Sequence, residues 1–297
     1  MREKEKMIKL FCIPGGAASA TAYLPWTKLL DRDIRLCLLE VPGRGLRRNE
    51  ESLKTMDAVA DDLFNNLKSQ LKEDDEYMIL GYCFGAVAGY ELYRRIEASG
   101  IKLPFRAYFC ASDPPDGNTY KTSIFSDRNR EEELQETLKR YFHPALFRNE
   151  EELDSFVQKY TSLCYQNYET FGKVISIKPT ELFADYEEHK DEYYDRCKAL
   201  DFANHTMDLL DIDQKIVQTY QNGENEYFKI QTPVTVFAGN RDTMTTLDAV
   251  KGWERVSGDK FDLRVIDGGH LILIDGYQNC IPIINEIVQN YKETGRD

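Results

Sequence analysis

Four short apolar runs, at residues 7–13, 34–39, 77–80 and 105–111, punctuate the first third of the chain, each running out towards Gly, Pro or Asp. Runs this short, rich in β-branched, aromatic and Leu residues, suit strands buried in a mostly parallel sheet. Between the second and third runs, Leu53, Met56, Val59, Ala60, Leu63, Phe64, Leu67 and Leu71 recur at helical spacing. That pattern predicts a strongly amphipathic helix with Ser52 as its N-cap. Strand alternating with helix is the mark of an α/β layer fold with right-handed crossovers.

From about residue 120 to residue 230 the strand rhythm disappears. This stretch is rich in charged and aromatic residues, carries three of the four histidines, and predicts helices near 130–141, 150–172 and 181–201. Strand patterns return at 233–239 and 261–266, and a last helix follows with Ile281, Ile284, Ile287, Val288 and Tyr291 on one face. The expected organisation is therefore a single domain over 1–297 with an enlarged helical lid insertion at 120–230. Insertions of this kind often cover an active site.

Thirty-eight basic against 51 acidic side chains give a net charge of -13. A field of that sign argues against nucleic acid and anionic membrane as partners, since both need a basic surface. Seven cysteines at irregular spacing, with no C-x-x-C pair, form neither a disulfide framework nor a zinc ribbon. The start of the chain has no signal-peptide pattern and no run is long enough to span a membrane, so a cytoplasmic protein is expected.

Gly81-Tyr82-Cys83-Phe84-Gly85 follows directly on the run at 77–80 and opens a helical stretch over 84–99. This is the strand–turn–helix setting of the G-x-nucleophile-x-G elbow, with cysteine where serine is usual. Small residues flank such a nucleophile because neighbouring backbone comes too close for side chains. The helix N-terminus behind it favours thiolate over thiol. The alternative for Cys83 is a buried structural thiol in an ordinary turn.

A nucleophile needs a base and a group that orients the base. Only His270, in Asp267-Gly268-Gly269-His270, stands just after a late strand; His143, His189 and His205 lie in the insertion among polar neighbours. For the acid, Asp242 stands beyond the run at 233–239, and the order Cys83, Asp242, His270 is the nucleophile–acid–base order of this architecture. Asp113, after the run at 105–111, is the rival. Oxyanion donors are expected at the Phe84 amide and in the loop Pro14-Gly15-Gly16-Ala17-Ala18-Ser19. That loop has the alternative of a phosphate cradle, but neither G-x-G-x-x-G nor the P-loop pattern is present.

Together these residues resemble the external (type II) thioesterases of nonribosomal peptide and polyketide assembly lines, which are α/β-hydrolases. The resemblance rests on residues 11–17, on Val41-Pro42-Gly43-Arg44-Gly45 with Arg47, on the elbow, on residues 238–242 and on residues 268–270. It implies an α/β-hydrolase fold, a triad of Cys83, Asp242 and His270, and an oxyanion hole at the amides of Gly16 and Phe84. It implies no cofactor of the chain's own: the substrate would be an acyl thioester on the phosphopantetheine arm of an acyl or peptidyl carrier protein. A monomer is expected. Three departures stand out, namely Cys83 for serine with Tyr82 for histidine, Gly15-Gly16-Ala17-Ala18 where the family's early loop usually ends in a glycine pair, and a longer insertion with extra sequence around residues 174–222. In related domains fused to assembly lines the acid follows an earlier strand, at the position of Ala111 here.

A cysteinyl intermediate is itself a thioester and stays reactive towards amines, alcohols and thiols. Three functions remain open on the sequence: hydrolysis of carrier-bound acyl groups, acyl transfer to an acceptor other than water, and a non-catalytic binding module on a hydrolase fold. Arg44, Arg47 and Arg48 could dock a carrier or its phosphate, or form a solvated cluster with a structural arginine. Tyr160, Tyr165, Tyr168, Phe171, Phe183 and Tyr186 could line an acyl pocket or simply pack helices together.

Overall fold

The computed structural model describes residues 7–115, 124–221, 228–258 and 260–295. Expectations that fall on residues 1–6, 116–123 and 222–227, including the start of the 120–230 insertion, lie outside the described residues. The chain divides into two compact units. One comprises residues up to Lys121 together with Asp213 onwards; the other is Thr122–Ile212.

In the first unit, strands β1 (Ile8–Ile13), β2 (Ile34–Leu38), β3 (Tyr77–Tyr82), β4 (Arg106–Cys110), β5 (Val234–Gly239) and β6 (Phe261–Ile266) form one sheet in the order β2-β1-β3-β4-β5-β6. All five pairings are parallel. The helices are α1 (Met56–Gln70), α2 (Phe84–Ser99), the C-terminal end of α6 (Tyr194–Gln221), α7 (Leu247–Lys251) and α8 (Tyr277–Thr294). β1, β3, β4 and β5 are buried along their whole length, which is why they read as continuous apolar runs without alternation. α8 buries Cys280, Ile281, Ile284, Ile287 and Val288 against the sheet, each apolar side chain contributing roughly 1.5–3 kcal/mol when fully buried.

Helix α1 starts later than its apolar pattern suggests. Thr55, not Ser52, is the N-cap, its hydroxyl accepting from the Ala58 amide at 3.2 Å. Ser52 instead fills the space beside Gly43, where a Cβ would fall 2.1 Å from its Oγ. Strand order reverses between β1 and β3, so the loops leaving their C-terminal ends run to opposite sides. In open α/β sheets ligands bind at such a switch point.

The second unit is helical, with α3 (Glu131–Tyr141), α4 (Glu150–Phe171), the short α5 (Pro179–Leu182) and the start of α6 (Tyr194–Gln221). The division of the chain falls within α6. The stretch expected as a helix over 181–201 is instead α5, a run of turns and a 3-10 segment before α6 begins at Tyr194. Asp185, Glu187, Glu188 and Asp191 bring charge to this stretch but no continuous apolar stripe. Phe142, Phe147 and Phe156 meet edge-to-face at 5.3–5.7 Å, and Asn204 bonds both the amide and the carbonyl of Ile177. Among the described residues no helix is long and apolar enough to cross a membrane.

Candidate active site

The turn between β3 and α2 holds Cys83 in a strained conformation, φ 53° and ψ -117°, in a region that non-glycine residues rarely occupy. Its amide donates to the Cys110 carbonyl at 2.8 Å, tying the turn to the end of β4. The flanking glycines are dictated by close approach. A Cβ on Gly81 would lie 2.1 Å from the Gly85 carbonyl oxygen, and one on Gly85 would lie 2.4 Å from the carbonyl oxygen of Pro14. The same packing presses α2 onto the loop after β1. A Cβ on Gly15 would stand 3.5 Å from the Cys83 Cβ, so this loop lies directly beside the sulfur-bearing residue.

His270 reaches the same edge on the loop after β6. Gly239, at the end of β5, permits this, since a Cβ there would fall 2.4 Å from the Gly269 carbonyl oxygen. The Gly268 amide donates to Asn240 Oδ1 at 3.0 Å, and the Arg241 amide donates to the Gly268 carbonyl at 2.9 Å. These bonds lock the loops after β5 and β6 together and bring His270 Nδ1 to 3.0 Å from Asp242 Oδ2. The Asp242 carboxylate is buried, and its other oxygen accepts from the amides of Met244 and Thr245 at 2.8 and 3.0 Å. The Cys83 sulfur also acts on the His270 ring, near enough to shift its protonation.

Burial alone pushes the His270 imidazole towards its neutral form. The charge and hydrogen bonds of Cys83 and Asp242 outweigh burial and raise its pKa to about 10. Tyr82, standing before Cys83, donates its hydroxyl to the His270 carbonyl at 3.1 Å. Its ring lies where a Cβ on Gly15 would be, 2.8 Å away.

The structure thus brings Cys83, Asp242 and His270 together, with Phe84 buried and Gly16 half-buried beside them. Asp113 is buried in the turn after β4 beside Ser112. His143, His189 and His205 are exposed in the helical unit. Ala17, Cys83 and Ala111 have positive φ, at 56°, 53° and 48°, and each follows the C-terminal end of a strand. Among the described residues no group of three His, Cys, Asp or Glu is arranged to hold a metal ion.

The arginine cluster does not present three free cations. Arg44 is buried in a two-pronged ion pair with Asp213, at 2.6 and 2.7 Å. Arg47 is engaged by Asp62 and Glu50, at 2.5 Å each. Arg48 is exposed. Within the helical unit, Tyr160 and Tyr165 are buried and pack on Phe156 and Phe125, whereas Phe171 is 60% exposed. Two bracing groups were not visible in the sequence. One is Asp213, an aspartate in a helical stretch full of acids. The other is buried Glu40, whose carboxylate accepts from the Ser19 hydroxyl at 2.6 Å and the Ala20 amide at 3.0 Å, steadying the loop after β1.

A parallel sheet in this order, with a strained elbow residue and a histidine–carboxylate pair at its C-terminal edge, defines an α/β-hydrolase fold. The thioesterase domain family matches residues 8–288. The chain belongs to that family. It is 20% identical over 274 residues to the gramicidin S biosynthesis protein GrsT of Aneurinibacillus migulanus, covering 92% of this chain and 86% of GrsT. Among solved structures, it is similar to ClbQ from the colibactin NRPS/PKS pathway, with a TM-score of 0.65, 17% identity, and 97% and 99% of the two chains covered. It is also similar to the type II thioesterase BorB from the borrelidin biosynthetic cluster, with a TM-score of 0.61, 22% identity, and 94% and 92% covered.

Proposed function

We propose that the chain cleaves acyl thioesters carried on the phosphopantetheine arm of an acyl or peptidyl carrier protein, through an acyl-enzyme on Cys83. The observation that carries this reading is the continuous chain of contacts from the Cys83 sulfur to the His270 ring to the Asp242 carboxylate, on an elbow strained at Cys83. Membership of the thioesterase family and likeness to proteins of NRPS/PKS pathways support the substrate class.

The Cys83 thiolate attacks the thioester carbonyl, and the amides of Gly16 and Phe84 receive the charge that develops on its oxygen. The tetrahedral species collapses, the carbon–sulfur bond to the carrier arm breaks, and imidazolium His270 gives its proton to the departing thiolate. Sulfur on the acyl-enzyme then carries no charge, so His270 loses the partner that kept it protonated. As a neutral base it takes a proton from the incoming acceptor, whose lone pair attacks the acyl carbon. Cys83 leaves as thiolate and the ion pair is restored. Asp242, held by the Met244 and Thr245 amides, orients the ring throughout.

With water as acceptor the product is a free acid. Sulfur at position 83 favours a second reading, transfer to an amine, alcohol or second carrier thiol. Exchange of one thioester for another is close to thermoneutral, and the acyl group remains activated. The test is to incubate acylated carrier with the enzyme, with and without candidate amines or a second holo carrier. Mass spectrometry is expected to find an acyl adduct on Cys83 and none in Cys83→Ala. Free acid alone at the full rate excludes transfer, a conjugate with little free acid excludes simple hydrolysis, and adduct persisting in Cys83→Ala overturns the assignment.

A further inference from the structure

Asp213 and Arg44 have no part in the steps above, yet they touch residues on both sides of Cys83. The Asp213 side chain is 2% exposed and its Arg44 partner 3%. Asp213 Oδ2 accepts from Arg44 Nη1 at 2.6 Å and from the Ala17 amide at 2.8 Å, while Oδ1 accepts from Arg44 Nη2 at 2.7 Å. The Arg44 guanidinium lies over the Phe84 ring, 5.8 Å from its centre. Its Nε is buried without a hydrogen-bond partner.

A buried ion pair is a poor device for stability alone. Its desolvation cost rivals its attraction, and an apolar pair of the same size is often as stable. What the apolar pair cannot do is accept the Ala17 N–H. Ala17 sits at φ 56°, a conformation that alanine leaves unless something holds it. The Asp213 carboxylate holds it there. Fixing the Ala17 amide fixes the peptide plane between Gly16 and Ala17 and so restrains the backbone of Gly16, whose own N–H lies in the preceding peptide. Through Phe84 the same guanidinium bears on the residue that carries the other candidate donor.

We infer that the Arg44–Asp213 pair is a positioning device for the oxyanion hole, setting the loop after β1 and the Phe84 ring so that both amides meet charge on the substrate oxygen. The inference rests on the reading of Cys83 as nucleophile, and the two can be tested apart. Alkylation of Cys83 by iodoacetamide needs the thiolate but builds no oxyanion. Acylation by a short-chain N-acetylcysteamine thioester needs both.

Two variants carry the test, each first shown to be folded by circular dichroism and thermal melting. Asp213→Asn removes the charge and one acceptor oxygen. The double variant Arg44→Met with Asp213→Leu replaces the pair with apolar side chains and leaves no buried charge unpaired. In both, Cys83 acylation is expected to fall about ten- to a hundredfold, since losing one well-placed donor outright costs about a hundredfold or more, while the alkylation rate stays within about twofold of wild type. Wild-type acylation in the folded double variant overturns the positioning role, as does an equal fall in acylation and alkylation. Failure of wild-type Cys83 to alkylate faster than Cys83 in the His270→Gln variant sinks the nucleophile reading instead.

Discussion

His270 stays protonated because of what surrounds it. Burial works against its charge, and the neighbouring sulfur and the Asp242 carboxylate more than offset that, taking its pKa to about 10. The sign of the pH dependence follows. Below about pH 10 the imidazolium keeps its proton, and its positive charge beside the Cys83 sulfur favours thiolate over thiol. Alkylation of Cys83 is therefore expected to be nearly flat between about pH 6 and pH 9. In His270→Gln it should fall about tenfold per unit below the ordinary thiol pKa of about 8.5; a wild-type profile of that shape would remove the ion pair from the mechanism. Acyl-enzyme breakdown should behave oppositely, slowing as pH falls, because it needs the neutral ring. Much of this site is legible in the sequence, since Gly81–Gly85 and Gly268-Gly269-His270 announce themselves by glycine beside a reactive side chain. Asp213 is not: a carboxylate in an acid-rich helix looks the same whether it faces solvent or a buried guanidinium.

At the level of elements, the elbow depends on glycine at 85 because α2 starts directly on the backbone of the loop after β1. The carbonyl oxygens of Ile13 and Pro14 lie 2.6 and 2.4 Å from where a Cβ would sit, and neither belongs to a side chain that can rotate away. Gly85→Ala should cost about 1–3 kcal/mol in urea unfolding and depress acylation further than that stability loss explains, because α2 and the Gly15–Gly16 loop are pushed apart. Unchanged stability would mean the loop yields freely. The ends of elements are harder to read than their interiors. Ser52 and Thr55 are both chemically able to cap α1, and the choice falls to Thr55 because Gly43 occupies the space around Ser52. That neighbour comes from another part of the chain and leaves no local signature.

Over the whole molecule, β1, β3, β4 and β5 are legible because burial along their whole length leaves them as near-continuous apolar runs, and the long helix α6 is less so because its apolar positions are diluted by acids. The net charge of -13 bears on partner encounter. Arg44 and Arg47, which would be the obvious attraction for an acidic carrier, are occupied by Asp213, Asp62 and Glu50. Raising ionic strength from about 0.01 to 0.15 M shortens the screening length from about 30 to 8 Å. It should therefore raise kcat/KM for an acidic acyl-carrier substrate while leaving that for a neutral N-acetylcysteamine thioester unchanged. A fall with salt would instead reveal a basic docking patch, and Arg48→Glu would then be the variant to weaken it.

The left-handed turn at residue 83 is imposed by its neighbours, the glycines at 81 and 85 and the bond from its own amide to the Cys110 carbonyl, and not by the atom at the tip of its side chain. Codons for cysteine and serine differ by one base. A single point mutation can thus exchange sulfur for oxygen at this turn while every contact that shapes it stays in place.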